Sequence, residues 1–207
     1  MENELKNVGW DQAFSVNKAH GSAAQCSMIE QAVSHCTARR CAVDVGAHIG
    51  LTAIPLANAG FEKVIAFEAV WENFDCLYEN TKAFDAVRAI PIALGDKAGT
   101  TEMKLPDENN SGCWYADGEE GNTPMLMLDN FKLQHVDFIK IDVEGREGDV
   151  LLGGYFTIRE QKPVVVIEQK ELAKKYFGND AHDARRILQE IGYKFTDRIR
   201  NDEIWTC

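Results

Sequence analysis

Two things this sequence does not contain narrow it first: a long apolar run and an excess of basic residues. No apolar stretch approaches the roughly 20 residues needed to cross a bilayer, so no membrane span is expected. Lys and Arg number 22 against 33 Asp and Glu, for a formal net charge of −11. Nucleic acid and anionic membranes attract basic patches, so neither is an expected partner. The start, M-E-N-E-L-K-N, has no apolar h-region of a signal peptide. The six cysteines, at 26, 36, 41, 76, 113 and 207, form no C-x-x-C pair. His20, His35, His135 and His182 fall at no metal-ligand spacing. The expectation is a reduced, cytoplasmic chain without a zinc site, no metal ligand being assigned, while a divalent metal held by the carboxylates of Asp142 and Glu144 stays open as a variant. No internal repeat, low-complexity run or linker divides its 207 residues.

What is present is alternation. Met28, Ile29, Ala32, Val33 and Cys36 recur along one helical face, predicting a helix over 25–36. Trp10 and Phe14 stand at a helical spacing before it, so residues 1–40 are expected to form an N-terminal helical cap and 41–207 the main domain. Apolar runs at 41–45, 63–68, 87–92, 136–143 and 163–168 read as strands. Helices are predicted between them, at 51–59, 71–84 and 148–158, with a further one at 183–191. The segments 193–199 and 203–207 read as a closing hairpin. Between 96 and 134 the alternation lapses, and an inserted antiparallel hairpin is expected. Strand–helix alternation implies an α/β fold, with a mostly parallel, doubly wound sheet.

The chain's chemistry gathers at the strand ends. C-A-V-D-V-G-A-H-I-G at 41–50 is strand, glycine turn and helix start, a unit that offers backbone N–H groups to a ligand. A dinucleotide-binding turn would place its first glycine where Asp44 stands. An acid there suits a positively charged ligand without phosphate, and S-adenosylmethionine, with its ammonium and sulfonium, is the common one. Gly46 and Gly50 are expected to let the backbone approach that ligand. Glu68 ends the second strand, where a carboxylate receives ribose hydroxyls. His48 lies inside the turn, facing the cofactor or filling a polar turn position. In D-F-I-K-I-D-V-E-G at 137–145, strand alternation places Lys140, Asp142 and Glu144 on one face. Three charges there are costly unless paired or used. Asp142 is read as the group that positions, Glu144 as the base, Lys140 as their counter-ion, and Glu168 as a further acid able to join them. Trp114 and Tyr115 are packing residues or the floor of a substrate pocket, and Lys162, Lys170, Lys174 and Lys175 a solvated basic face.

These motifs, V-D-V-G-A-H-I-G at 43–50, A-F-E-A-V-W-E-N-F at 66–74, A-L-G-D at 93–96, L-D-N-F at 128–131 and D-F-I-K-I-D-V-E-G-R-E at 137–147, resemble the FkbM-type methyltransferases. The resemblance implies a class I methyltransferase (Rossmann-like) fold of seven strands in the order 3-2-1-4-5-7-6, the seventh antiparallel. It also implies S-adenosylmethionine as cofactor, contacted by Asp44, Gly46, His48, Gly50, Glu68, Ala93 and Asp142. Asp142 and Glu144 would be catalytic, and the acceptor a hydroxyl of a sugar, glycan or other small molecule. One departure is Ala69, where the family usually has proline. Two alternatives share the fold: a nicotinamide-dependent oxidoreductase, which Asp44 disfavours, and a non-catalytic protein that binds an adenosyl ligand.

Overall fold

A computed structural model of the chain describes residues 5–9, 26–169, 172–178 and 182–207. The expected pairing of Trp10 with Phe14 lies outside them, as do His20, Lys170 and half of the predicted cap.

Seven strands form the main sheet: β1 (Cys41–Val45), β2 (Lys63–Phe67), β3 (Val87–Ile90), β8 (Val136–Ile141), β9 (Val164–Glu168), β10 (Lys194–Ile199) and β11 (Asp202–Thr206). Their order is β10-β11-β9-β8-β1-β2-β3. The pairs around β1 are parallel, with Asp44 opposite Ala66 on β2 and Lys140 on β8. β11 runs antiparallel to both β9 and β10. The expected order and the single reversed strand are both present.

The sheet is covered on both faces, as strands with near-continuous apolar runs require. On one side Val43, Ile65, Ile139 and Val165 pack against Leu151 of α4 (Glu147–Gly153), Ile158 of α5 (Tyr155–Gln161) and Leu188 of α7 (Ala184–Ile191). On the other side Ala42, Val64, Phe138 and Val166 meet helix α1 (residues 26–33) through Met28, Ile29, Ala32 and Val33. Leu56 of α2 (Ala53–Asn58) and Leu77 of α3 (Trp71–Thr81) complete that layer. Gly60, at φ +90°, ends α2 in the left-handed conformation expected of it.

Three expectations need correction. The insertion is more than a hairpin. β4 (Ala93–Leu94), β7 (Thr123–Leu126), β5 (Gly99–Lys104) and β6 (Tyr115–Asp117) form a four-stranded sheet in that order, with β4 and β7 parallel. The helix predicted over 148–158 is two helices broken at Gly154. The side chain of Asp129 restarts the second, accepting the N–H groups of Phe156 at 3.0 Å and Thr157 at 2.9 Å. A remote carboxylate thus caps α5, which no local pattern could reveal. The strand predicted to Val143 stops at Ile141, because Glu144 and Gly145 take positive φ of +55° and +107°. A further helix, α6 (Leu172–Phe177), is not among those predicted, and it buries no side chain.

Candidate active site

At the carboxyl ends of β1, β2 and β8 lies a cleft of about 590 Å³. In open α/β sheets this is where ligands bind. The Gly46 turn and the end of β2 form one wall, and β4 and residues 142–146 another. The inserted sheet and its short helix, through Ser111, Trp114 and Ala116, form the remainder.

The glycine turn is held from beneath by Glu68. One of its carboxylate oxygens accepts the N–H of His48 at 2.8 Å, and the other that of Val70 at 2.9 Å. Glu68 is only 6 % exposed, and burial pushes its pKa up to about 7 against the opposing backbone bonds. The Asn73 side chain and the Ala69 N–H also act on this carboxylate. His48 sits at φ +52°, its Nε2 2.7 Å from the Ser111 hydroxyl, which fastens the turn to the insertion. Ala93, at the start of β4, lines the opposite wall.

The glycines act differently from expectation. A Cβ on Gly46, whose φ is +80°, would lie 1.9 Å from the Asp142 carbonyl oxygen. The backbone this glycine admits is therefore that of the chain itself, bringing the ends of β1 and β8 together. Gly50 is not part of the cleft wall. Its missing Cβ faces Leu77 and Thr81 of α3, each 3.3 Å away, so its assignment as a cofactor contact is replaced by one in helix packing.

Asp44 also departs from expectation. It is 1 % exposed, faces the α1–α3 layer and does not line the cleft. Among the described residues neither of its carboxylate oxygens has a partner of full hydrogen-bond geometry, although the Ala53 N–H lies close enough to act on it. Burial raises its pKa to about 7, with the nearby Lys140 working in the other direction. Its field reaches the site through Lys140.

Lys140 is buried on β8, its ammonium 2.7 Å from Asp142 and 3.6 Å from Asp202 of β11. Burial alone would lower its pKa. The carboxylates of Asp142, Asp202 and Asp44 outweigh that and raise it. The role of counter-ion read from the sequence is the one it has for Asp142. Asp142 and Glu144 both line the cleft. Glu144 gets there by its left-handed backbone and not by strand alternation. Glu168 joins them from the end of β9: among the described residues, carboxylate oxygens of Asp142, Glu144 and Glu168 lie within 4.8 Å of one another. Such a set suits a cationic ligand, a proton or a hard divalent cation.

Three contributors escaped sequence reasoning. Glu147 is 5 % exposed and accepts the N–H groups of Gly145 at 3.0 Å and Val143 at 3.3 Å, fixing the kink that aims Glu144. Burial pushes its pKa to about 7. Arg146 lines the cleft with its guanidinium 3.5 Å above the centre of the Phe177 ring. Asn73 of α3 donates to the Ser111 carbonyl at 3.0 Å. The sequence signal for Glu147 is its position three residues after Glu144 in D-V-E-G-R-E. The other two carry none. Trp114 borders the cleft, while Tyr115 stacks on Tyr176 of α6 at 4.4 Å, a packing role.

Comparison with known proteins bears out the resemblance read from the motifs. The Methyltransferase FkbM domain matches residues 122–195. Among curated proteins, none matches the chain in sequence. Among solved structures it is similar to methyltransferase FkbM from Methylobacillus flagellatus, with a TM-score of 0.57 and 16 % identity over 96 % of this chain. The chain spans 60 % of that protein's length. It is also similar to the precorrin 8w decarboxylase of Methanobacterium thermoautotrophicum, with a TM-score of 0.55 and 14 % identity over 89 % of each chain. A third is precorrin-6y C5,15-methyltransferase from Geobacter metallireducens, at 0.51 and 14 % over 87 % of each. At such identities the shared property is the class I methyltransferase fold. No helix of the described residues is long and apolar enough to cross a membrane.

Proposed function

We propose, from the FkbM methyltransferase domain over residues 122–195 and the acidic cleft beside it, that this chain is a methyltransferase using S-adenosylmethionine. Its acceptor is a hydroxyl oxygen of a sugar or other small molecule. The observation that carries the reading is the meeting of Asp142, Glu144 and Glu168 within 4.8 Å at the mouth of a cleft with Glu68 on its wall. Acids along the wall favour a ligand that brings positive charge and ribose hydroxyls. Gly46, His48, Glu68, Ala93 and Asp142 are the residues at hand to hold it.

S-adenosylmethionine would supply an electrophilic methyl group on sulfur. The chain's own part is positioning and proton removal. Orientation of two reactants is worth effective molarities up to about 10⁵–10⁸ M. A hydroxyl is a weak nucleophile until its proton is leaving, and a positioned base contributes about 10²–10⁴-fold. Glu144, held by the Glu147-braced kink, is the base. Three negative charges in close array repel one another, and a proton accepted by one relieves part of that. Asp142, bonded to Lys140, orients the acceptor.

The test separates binding from turnover. Calorimetry of S-adenosylmethionine with Glu144→Gln is expected to give nearly wild-type affinity. Transfer of labelled methyl to hydroxylated acceptors should fall at least about 100-fold. Glu68→Ala should weaken cofactor binding roughly tenfold, the worth of a charge-assisted bond. Full turnover in both Glu144→Gln and Asp142→Asn would make these acids structural. Nicotinamide binding without S-adenosylmethionine binding would overturn the proposal.

A further inference from the structure

Behind Arg146 lies a second cleft, of about 740 Å³, lined by the turn after β4, β6, α4 and the segment that leads into α7. Three residues from separate parts of the chain converge on it: Asp96, Asp149 and His182. One ligating atom from each lies within 4.8 Å of the other two. The geometry points to a divalent-cation site of imidazole and two carboxylates, suited to manganese or zinc, distinct from the acidic trio of the candidate active site.

The ligand set has the right chemistry. An imidazole nitrogen suits first-row transition metals, while carboxylates alone would favour magnesium or calcium. The two strongest candidates are already joined, His182 Nδ1 lying 2.5 Å from Asp149 Oδ1. A cation takes the place of the proton between them, and the neutral imidazole then carries its single proton on Nε2. The other oxygen of Asp149 accepts Arg146 Nη1 at 3.1 Å, a bond that orients the carboxylate. Such an outer bond fixes the geometry of the carboxylate, while the guanidinium draws off part of its negative charge and so lowers its basicity. Among the described residues lining this cleft the other cation is Lys97, which pairs with Glu119 and also feels the charges of Asp96 and Asp149.

The position of His182 is also set by backbone. A Cβ on Gly148 of α4 would fall 2.2 Å from the His182 carbonyl oxygen, so only glycine lets this segment lie so close to the helix that carries Asp149. The open side of the cleft leaves room for water to complete the coordination. Occupancy would tie β4, α4 and the approach to α7 together beside Arg146, which lines both clefts.

The test uses the full chain stripped with chelator. Manganese is titrated by calorimetry, and cobalt by its visible absorption, which reports nitrogen and oxygen coordination. One saturable equivalent is expected, together with a rise in melting temperature. His182→Ala and Asp96→Asn should each weaken binding at least tenfold, and Glu144→Gln should leave it unchanged. Circular dichroism checks that each variant is folded. Absence of saturable binding, or equal affinity in His182→Ala, would overturn the inference. So would loss of binding in Glu144→Gln with His182→Ala unaffected, which assigns the cation to the trio of the first cleft.

Discussion

Replacing Lys140 with methionine keeps the long unbranched stem and removes the charge. In the native protein that ammonium lies 2.7 Å from Asp142 and 3.6 Å from Asp202, with Asp44 directly across from it on β1. Lys140 and Asp44 are each 1 % exposed, so water cannot substitute for the missing partner. Removing one member of a buried ion pair costs about 3–5 kcal/mol, because the other charge is left uncompensated. In a chain of this size each kcal/mol shifts the melting temperature by roughly 2–4 °C, so the loss is roughly 6–20 °C. Urea denaturation at pH 8 measures it. The loss has a pH signature that packing defects lack. Asp44, whose pKa burial has raised to about 7, takes up a proton as the pH falls, removing one of the charges that Lys140 balances. The destabilisation at pH 5.5 should therefore be smaller than at pH 8 by roughly 1 kcal/mol or more. Combining Lys140→Met with Asp142→Asn should recover part of the loss, with a coupling of about 0.5–3 kcal/mol. A loss below about 1 kcal/mol at pH 8, or one independent of pH, would refute the electrostatic account and leave Lys140 as a packing residue.

Gly46→Ala should destabilise the protein by at least about 2 kcal/mol through backbone strain and contact with the Asp142 carbonyl. Gly60→Ala, also at positive φ but with nothing within 4 Å of its added carbon, should lose only the left-handed penalty of about 1–2 kcal/mol. Equal melting temperatures for the two variants would contradict the close-approach role of Gly46. Stability should also fall as the pH rises from about 4.5 to about 7. Burial raises the pKa values of Asp44, Glu68 and Glu147 to about 7, so in this window the folded state binds more protons than the unfolded one. On the acid side, Arg185 and Arg198 overcome burial and hold the Glu203 pKa below its ordinary value. The stability of that cluster is present above the unfolded carboxylate range and is lost as the pH falls through the lowered value. A denaturation midpoint that is higher near pH 5.5 than at pH 8 is the expected result, and the reverse order would contradict it.

The sequence by itself determined the sheet. Continuous apolar runs such as V-V-V-I at 164–167 can sit only between two helical layers, and the helical faces that cover them recur at the period of an α-helix. The order of strands and the reversed β11 followed from the family motifs. The positions of Glu68, Asp142 and Glu144 at strand ends were legible because strands are short and their charged termini stand out. What a side chain at those ends meets was not legible, since partners come from distant parts of the chain. Tertiary structure alone turned Asp44 away from the cleft, because a parallel register set it opposite Lys140. It assigned Gly46 to a neighbouring carbonyl and Gly50 to α3, because a missing Cβ says that something is close but not what. It also broke the predicted helix at Gly154 by supplying a cap from Asp129. Glu144 reached the cleft through a backbone kink braced by Glu147, where strand alternation would have placed it by period alone. Asp96, Asp149 and His182 meet only because β4, α4 and the approach to α7 converge on one side of the sheet, a convergence that no spacing along the chain encodes.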